Sequence, residues 1–343
     1  MAGHVITAKP GPNPKLLVME LWGLGDLLIA TPFLQEASRH YDVTLVAKPY
    51  ATDLRERFWP GIKVVSFVAP WTAFERKYRL ISWPWRQMFR LRQHLSREEF
   101  ATGLSARWDP RDHFLLWLAR AKARLGFPRL GSQIFLTRSL ARPEPRAHRY
   151  ENWRVMAKAL GFSLPPRERL QLPKIQRGGH ILVHTGAGQR VRVWPLERYR
   201  SLVRRLRLKG FSVQVVCDPD QRSWWLEAGE PEVSTPQNVG ELLTLMDRAA
   251  IFIGNDSGPG HLAAFCGAAT FTLFGPQLPE WFAPLNPVSE WVEGKACPYK
   301  PCSDYCQFTV PYCMVNSSEE EVWGRLEPFV LGILAPRDAS PAS

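Results

Sequence analysis

A buried strand that runs into a glycine-rich turn and then a helix constrains this chain more than any other feature. The segment is IFIGNDSGPGHLAAFCGAATFTLFGP, residues 251–276. Gly258 and Gly260 let the backbone turn tightly, and the first N–H groups of the helix have no partner within it and lie at its positive end. The segment therefore predicts a phosphate or pyrophosphate site. The alternative is that Asp256 and Ser257 merely cap the helix, since both are favoured capping residues.

Length and composition predict a soluble protein of two domains. The 343 residues exceed what one hydrophobic core usually supports, and 45% hydrophobic with 22% charged residues is ordinary for globular proteins. The sequence has no uncharged apolar run of membrane-spanning length, and residues 1–14 lack the apolar stretch of a signal peptide. We therefore expect a cytoplasmic protein without disulfides.

Apolar runs alternate with helical patterns in both halves of the chain, which predicts parallel, doubly wound sheets. Predicted strands cover residues 15–21, 43–47, 64–67, 101–104, 181–184 and 212–217. Predicted helices cover 27–39, 85–95, 111–122, 196–208 and 239–248. The stretch 164–179 is rich in Pro, Gly and charge, as a linker is. We expect an α/β protein with two Rossmann-like domains, 1–170 and 171–343.

Each half carries a glycine turn after its first strand. Gly23, Gly25 and Asp26 follow the first, whereas Gly186 and Gly188 follow the strand that ends at residue 184. Ligands bind at the carboxyl ends of parallel strands, so two such turns predict one cleft between the domains. Neither turn has the spacing of a dinucleotide-binding fingerprint.

Positive charge predicts an acidic partner. The formal net charge is +12, and residues 71–97 interleave seven arginines and lysines with six aromatic side chains against one acid, Glu75. Such a mixture suits the headgroup layer of an anionic membrane. The alternative is a solvated basic helix face whose aromatic side chains point into the core. Nucleic acid is not expected, because no binding motif accompanies the charge.

Four cysteines lie close together near the carboxyl end of the chain. Cys297, Cys302, Cys306 and Cys313 fall in a proline-containing loop, residues 297–313. Four thiolates can hold Zn or Fe tetrahedrally, but the spacing contains no C-x-x-C pair. A structural metal site and a metal-free loop both remain open.

Three segments resemble the bacterial heptosyltransferases of glycosyltransferase family nine. They are LVMELWGLGDLLIATPFL at 17–34, HTGAGQRVRVWPLERY at 184–199 and GNDSGPGHLAAFCGAATFTLFGP at 254–276. The resemblance implies a glycosyltransferase-B fold, with the acceptor on the first domain and a nucleotide sugar on the second. It also implies inverting, metal-independent transfer of a sugar, heptose from ADP-heptose, onto a lipopolysaccharide-core-like glycan.

The same resemblance assigns roles to residues. Asp26, with Thr31 and Pro32 completing the family's turn, matches the catalytic base, and its alternative is a helix cap. The basic aromatic segment of the first domain would hold the acceptor, with contacts expected from Gly25, Arg76 and Arg79. Donor contacts fall on Thr185, Gly186, Arg192, Asp256, Ser257, Gly258 and His261. The alternatives are a plain surface arginine at 192 and a structural histidine at 261. The family places an acid on the ribose, for which Asp218 and Asp220 are both candidates. Many relatives have Lys where this chain has Arg192, and those two side chains differ in geometry.

Two other functions stay open on the sequence. A family-nine transferase can use another sugar nucleotide, or a protein or O-antigen acceptor. A non-catalytic, membrane-associated scaffold can keep the same fold. The expected partners are a nucleotide-sugar donor, an acidic glycolipid acceptor and the inner face of the inner membrane, on which the protein would be peripheral.

Overall fold

Each half of the chain builds a parallel sheet whose central strand is apolar and buried. The computed structural model describes residues 13–73, 79, 81, 83–174, 179–302 and 305–334. The chain divides into two compact units. The first comprises the described residues within 1–22, 30–143 and 152–164, and the second those within 23–29, 144–151 and 165–343. The predicted domain boundary after residue 170 stays a prediction, but the segment that carries Asp26 groups with the second unit.

The sheet of the first unit has the strand order β3-β2-β1-β4-β5-β6, and its pairs are parallel. The strands are β1 (Lys15–Glu20), β2 (Asp42–Ala47), β3 (Lys63–Ser66), β4 (Thr102–Ser105), β5 (Ala123–Gly126) and β6 (Arg138–Ser139). In β1 every residue after Lys15 is buried, because the strand lies between β2 and β4. The order reverses direction between β1 and β4, where open sheets of this kind bind ligands.

Helices flank this sheet. They are α2 (Thr31–Ala37), α3 (Ala51–Phe58), α4 (Trp85–Ser96), α5 (Pro110–Leu118) and α6 (Tyr150–Leu160), whose first two residues belong to the second unit. The apolar stripe of α4, Met88, Leu91 and Leu95, packs with Leu17 and Phe100 in one core cluster. Asp109 caps the start of α5, because its side chain accepts a hydrogen bond from the Arg111 N–H.

The sheet of the second unit has the order β11-β10-β9-β7-β8, again parallel. The strands are β7 (His180–His184), β8 (Val213–Val216), β9 (Ala249–Asn255), β10 (Ala269–Phe274) and β11 (Ser289–Glu293). All seven residues of β9 are buried, as expected of a central strand covered on both faces. The direction of winding reverses between β7 and β9.

Helices of the second unit include one that lies far from the rest in sequence, α1 (Leu24–Ile29). The others are α7 (Leu196–Leu208), α8 (Arg222–Glu227), α9 (Val239–Met246), α10 (Gly258–Phe265), α11 (Pro279–Phe282), α12 (Tyr312–Val315) and α13 (Glu319–Leu334). Val322, Leu326 and Val330 of α13 join the core formed by β7, β9, β10 and α7. Within the described part of the chain, no helix combines the length and apolar character needed to cross a membrane.

Two predicted helices were wrong in extent. The helix expected over 27–39 is two helices, α1 and α2, because Pro32 in the first turn of α2 has no N–H to continue the ladder. The helix expected over 111–122 ends at Leu118, since Arg120 takes a left-handed backbone conformation with φ 58°. The segment after it forms β5, which was not predicted.

Candidate functional site

The turns after β7 and β9 lie at the point where the second sheet reverses its winding. Both strands end beside each other, with His184 registered on Gly254. Thr185 and Gly186 follow β7, and Asp256 and Ser257 follow β9. Sheets of this order bind ligands in the crevice outside these strand ends.

Asn255 holds the two turns together. Its side chain is fully buried, and the Nδ2 group donates to the Thr185 carbonyl at 2.9 Å. Its Oδ1 accepts from the Trp194 N–H at 3.0 Å and from the Tyr199 hydroxyl at 2.9 Å. Three segments distant in sequence are thereby fixed by one amide. Sequence reasoning missed this role, because the partners are identifiable only after folding.

The start of α10 has no side-chain cap. The Ser257 hydroxyl donates to the Asn255 carbonyl at 3.1 Å instead of accepting from the first turn of the helix. Pro259 removes one N–H from that turn, and its fixed φ suits the position. Ser257 therefore does not cap α10 through its side chain. The Gly258 backbone lies at the positive end of the helix.

Asp256 and Arg192 form a buried ion pair beside this helix start. The Arg192 Nη1 lies 3.2 Å from the Asp256 Oδ2 and also donates to the Asp256 carbonyl at 3.4 Å. Burial raises the pKa of Asp256 to about 6, the Arg192 charge opposes that rise, and the Asp26 charge adds to it. Since Arg192 is only 24% exposed, its orientation is well defined by this pairing.

Helix α1 brings Asp26 to the same place. Its carboxylate accepts a hydrogen bond from the Gly23 N–H at 3.1 Å, which is the helix-capping role considered from sequence. Two glycines then let α1 and α10 approach closely. A Cβ on Gly25 would lie 2.7 Å from the His261 Cδ2, and one on Gly258 would lie 2.7 Å from the Leu24 Cβ.

His261 lies between charged groups. It is 4% exposed, and its Nδ1 has no hydrogen-bond partner among the described residues. Burial lowers the pKa of His261 to about 4; the Asp26 charge opposes this, and the Arg167 and Arg192 charges reinforce it. The ring is therefore neutral at neutral pH, with one nitrogen able to accept or donate according to its tautomer.

The turn after β7 is packed tightly. The Thr185 hydroxyl donates to Gln221 at 2.8 Å and accepts from the Trp225 indole at 3.2 Å, so its side chain fixes the turn. A Cβ on Gly186 would come within 2.3 Å of the Asp218 carboxylate. Asp220 is half exposed and lies 3.5 Å from Arg190. Of the two ribose candidates, Asp218 is the one that touches the turn.

Two further cations act on this group of residues and were missed in the sequence. In addition to burial, the charge of Arg167 lowers the pKa of His261. The Arg167 Nη2 donates to the Pro284 carbonyl at 3.3 Å. Lys300, paired with Glu293 at 2.8 Å, lowers the pKa of Asp256 against the effect of burial. Neither lies in a recognisable motif, and only the fold brings them near.

The first unit has a polar centre of its own where its sheet reverses between β1 and β4. The Asp112 carboxylate is fully buried and accepts from the Trp71 indole at 3.1 Å, the Trp22 indole at 3.4 Å and the Ser105 hydroxyl at 3.2 Å. Burial raises the pKa of Asp112 to about 7, and these donors oppose the rise. The guanidinium of Arg107 lies 5.0 Å from the Trp22 ring centre. Of the predicted acceptor residues, Arg79 is exposed and Arg76 lies outside the described residues.

Burial and neighbouring thiols in the loop at residues 297–313 raise the pKa values of Cys302 and Cys313. Burial, followed by the neighbouring thiols of Cys306 and Cys297, raises the pKa of Cys302. Burial and the thiol of Cys302 likewise raise the pKa of Cys313. Among the residues that the structure describes, no three His, Cys, Asp or Glu side chains are arranged to hold a metal ion.

Comparison with known proteins gives this architecture a family. The model of glycosyltransferase family 9 (heptosyltransferase) matches residues 88–310, which excludes the Asp26 segment. Lipopolysaccharide heptosyltransferase 3 of Escherichia coli K12 is 28% identical over 105 residues, a match that covers 28% of this chain and only 30% of that protein.

Solved structures extend the likeness to nearly the whole chain. The Escherichia coli heptosyltransferase WaaC with ADP superimposes with a TM-score of 0.71 at 16% identity, over 92% of this chain and 99% of that one. A family-nine glycosyltransferase from Veillonella parvula gives 0.71 at 18% identity, over 95% and 100%. The iron-containing glycosyltransferase TibC of enterotoxigenic Escherichia coli gives 0.55 at 16%, over 95% and 78%.

The chain has two parallel sheets flanked by helices, and it matches solved heptosyltransferase structures over more than 90% of its length. The predicted glycosyltransferase-B fold is therefore confirmed. The family match covers more than half of the chain, and the predicted resemblance is confirmed with it. This chain belongs to glycosyltransferase family nine, the heptosyltransferase family.

Proposed function

We propose that this protein transfers heptose from ADP-heptose onto a lipopolysaccharide-core-like glycan with inversion at the anomeric carbon. The observation that supports this most is the gathering of Asp26, His261, Asp256 and Arg192 around the start of α10. Such a transfer needs a base for the acceptor hydroxyl and positive charge for the departing pyrophosphate, and a carboxylate and a guanidinium can supply them. The WaaC structures with ADP and with a fluorinated ADP-heptose support the choice of donor.

In this proposal Asp26 accepts the proton of the acceptor hydroxyl as its oxygen attacks the anomeric carbon. The bond from that carbon to the ADP oxygen breaks on the opposite face, and ADP leaves with its electron pair. Asp26 already accepts a hydrogen bond from the Gly23 N–H, which orients one of its oxygens. A positioned carboxylate of this kind typically contributes a factor of about 10² to 10⁴ as a general base.

Negative charge grows on the pyrophosphate as ADP leaves. We assign its stabilisation to the Arg192 guanidinium and to the backbone N–H groups at Ser257 and Gly258. Because these groups are fixed before the reaction, we propose that transfer needs no metal ion. A structural Zn or Fe in the four-cysteine loop stays a separate proposal, tested by metal analysis of the purified protein. The thiols of the described residues do not form a metal-ligand set.

Asp256 and His261 are proposed to contact the transferred sugar. Asp256 faces the site through its pairing with Arg192, and an anionic form would accept hydrogen bonds from sugar hydroxyls. His261 remains neutral because of burial and lies against Gly25. For the ribose we keep Asp218 and Asp220 as candidates, with Asp218 favoured by its contact with the Gly186 turn.

The acceptor is proposed to be an acidic glycolipid, with the protein cytoplasmic and peripheral on the inner face of the inner membrane. The net charge of +12 supports an anionic partner. A different sugar nucleotide, or a protein or O-antigen acceptor, would use the same phosphate-binding residues. A non-catalytic scaffold is the alternative suggested by arginine in place of the family's lysine at 192 and by the hydrogen bond that lets Asp26 act as a helix cap.

Replacing Asp26 with Asn separates these possibilities. The amide oxygen can still accept from the Gly23 N–H, so folding and ADP binding should persist, while proton transfer is lost. We expect turnover of ADP-heptose, measured as ADP release in the presence of deacylated lipopolysaccharide core, to fall by about 10²-fold or more. Asp53→Asn, a change in the first turn of α3, is the matched control and should leave turnover unchanged.

Full turnover by the Asp26→Asn variant would remove Asp26 as the base. ADP binding without consumption of any sugar nucleotide by the unaltered protein would favour the scaffold.

A further inference from the structure

A basic cavity opens on the first unit at the amino ends of β4 and β5, opposite the strand ends where ligand-binding turns lie. Its volume is about 370 Å³. Its lining comprises Arg92, Trp117, Leu118, Arg120, Ala121, Lys122 and Arg124. Four of these seven side chains are cationic and none is acidic, so the cavity suits an anion.

The four cations of the cavity differ in their partners. In the part of the chain that the structure describes, Arg92, Arg120 and Lys122 form no ion pair. Arg124 differs, because its Nε donates to the Phe135 carbonyl and its Nη1 to the Ala121 carbonyl, both at 2.7 Å. Two backbone carbonyls therefore hold the Arg124 guanidinium, while the charges of Arg92, Arg120 and Lys122 remain available to a ligand.

An apolar surface continues from this cavity through Trp117. The Trp117 ring is 48% exposed and stacks on Phe114 at 5.7 Å, and Phe135 meets Phe114 edge-on at 5.3 Å. Leu130 and Ile134, which precede Phe135 in the chain, are 85% and 74% exposed. We call these exposed aliphatic and aromatic side chains, together with the cations that line the cavity, the edge surface.

The backbone holds two of these residues in a costly conformation. Arg120 and Leu130 have φ values of 58° and 50°, in the left-handed region that favours glycine and asparagine. An exposed cation and an exposed leucine therefore occupy positions where a small residue would be more stable.

We propose that the edge surface docks the protein on an anionic lipid bilayer, with the cavity taking a lipid phosphate and Leu130, Ile134 and Trp117 entering the interface. Aromatic and aliphatic side chains partition into the headgroup boundary, and each nearby Lys or Arg strengthens binding to anionic lipid. A second copy of the chain is a poorer occupant, because a symmetric contact would bring the unpaired cations together. Nucleic acid is poorer still, since it offers nothing to the exposed aliphatic side chains.

This inference deepens the membrane part of the proposed function and rests on that part alone. Vesicle binding needs no donor, so it can fail while transfer to a soluble glycan succeeds, and the reverse also holds.

The test is co-sedimentation of the full-length protein with vesicles of phosphatidylcholine and with vesicles of equal parts phosphatidylcholine and phosphatidylglycerol. We expect binding to the anionic vesicles that weakens with salt, and little binding to the neutral ones. The variant Arg92→Gln/Arg120→Gly/Lys122→Gln should bind about a hundredfold more weakly, since each cation contributes about fivefold. Glycine at 120 fits the left-handed backbone, so this variant should fold at least as well as the parent.

Matched controls come from the second unit. Arg200→Gln/Arg204→Gln/Arg222→Gln removes the same charge, and Leu208→Ser removes a side chain that is 79% exposed. Both should bind vesicles as the parent does, whereas Leu130→Ser/Ile134→Ser should not. Equal loss in the controls, unchanged binding in the edge-surface variants, or no vesicle binding by the parent would overturn the proposal. Lipid-free dimerisation that disappears in Leu130→Ser/Ile134→Ser would also overturn it, by assigning the surface to self-association.

Discussion

At the scale of single residues, buried polar side chains organise both units. Asp112 collects three donors from three separate segments of the first unit, and Asn255 joins three segments of the second. Both lie where their sheets reverse direction, so each fixes the strand ends that carry the candidate sites. The sequence marks neither one, because a buried Asp or Asn looks like any loop residue until its partners are known.

Asp112 makes stability depend on pH. Its pKa rises from 3.8 to about 7 on folding because it is buried, so between these values the unfolded chain is ionised while the native carboxyl holds its proton. The unfolded state therefore gains relative stability as pH rises, and the native protein loses up to about 4 kcal/mol by pH 7. Asp112→Asn should abolish this decline. Urea unfolding of both proteins at about pH 5 and pH 8 measures it, and parallel pH profiles would contradict it.

Gly25 is required for the approach of α1 to α10. In Gly25→Ala the new Cβ would lie 2.7 Å from the His261 ring, so the ring and α1 must shift. We expect a loss of about 1 to 3 kcal/mol in the free energy of unfolding, together with reduced turnover. Gly61→Ala is the control, because no atom lies within 4 Å of its Cβ, and it should change stability by less than about 0.5 kcal/mol. Equal effects of the two substitutions would refute the packing argument.

At the scale of elements, α13 offers a direct test of helix propensity. Gly324 and Gly332 lie on its exposed side with open space around their Cβ positions, whereas Val322, Leu326 and Val330 face the core. Alanine at either glycine should raise the free energy of unfolding by about 0.5 to 1 kcal/mol, because glycine costs more backbone entropy in a helix. Thermal unfolding of the two variants measures this, and a lower melting temperature in both would show that the glycines serve packing instead.

Strands with uniform apolar runs were predictable, and short polar ones were not. The predicted strand at 181–184 differs from β7 by one residue, since ILV forms a buried core run. In contrast, β5 and β6 read ARLG and RS, and only pairing with their neighbours makes them strands. The helix at Tyr150–Leu160 was also missed, although its sequence has no breaker.

The candidate site was predictable to the extent that its residues lie in motifs. Asp26, Arg192, Asp256 and His261 were all chosen from sequence, and the structure brings them together in the second unit. Arg167 and Lys300 were missed because their proximity depends on long-range packing. The catalytic and binding roles of the four residues chosen from sequence stay predictions, as do those of the other residues assigned by resemblance.

At the scale of the whole molecule, we propose that this family-nine protein uses an adenine nucleotide sugar held by Arg192 and the start of α10. A ligand that binds only the native state stabilises it by about 2.7 kcal/mol at a concentration of a hundred times its Kd. For a unit of this size, that corresponds to a rise of about 5 to 10 °C in melting temperature.

The most direct measurement is therefore the melting temperature of the protein with ADP, UDP and GDP, alongside Arg192→Ala and the exposed control Arg200→Ala. We predict a clear rise with ADP alone, preserved in Arg200→Ala and strongly reduced in Arg192→Ala. A rise with UDP or GDP and none with ADP, or an undiminished rise with ADP in Arg192→Ala, would contradict the account.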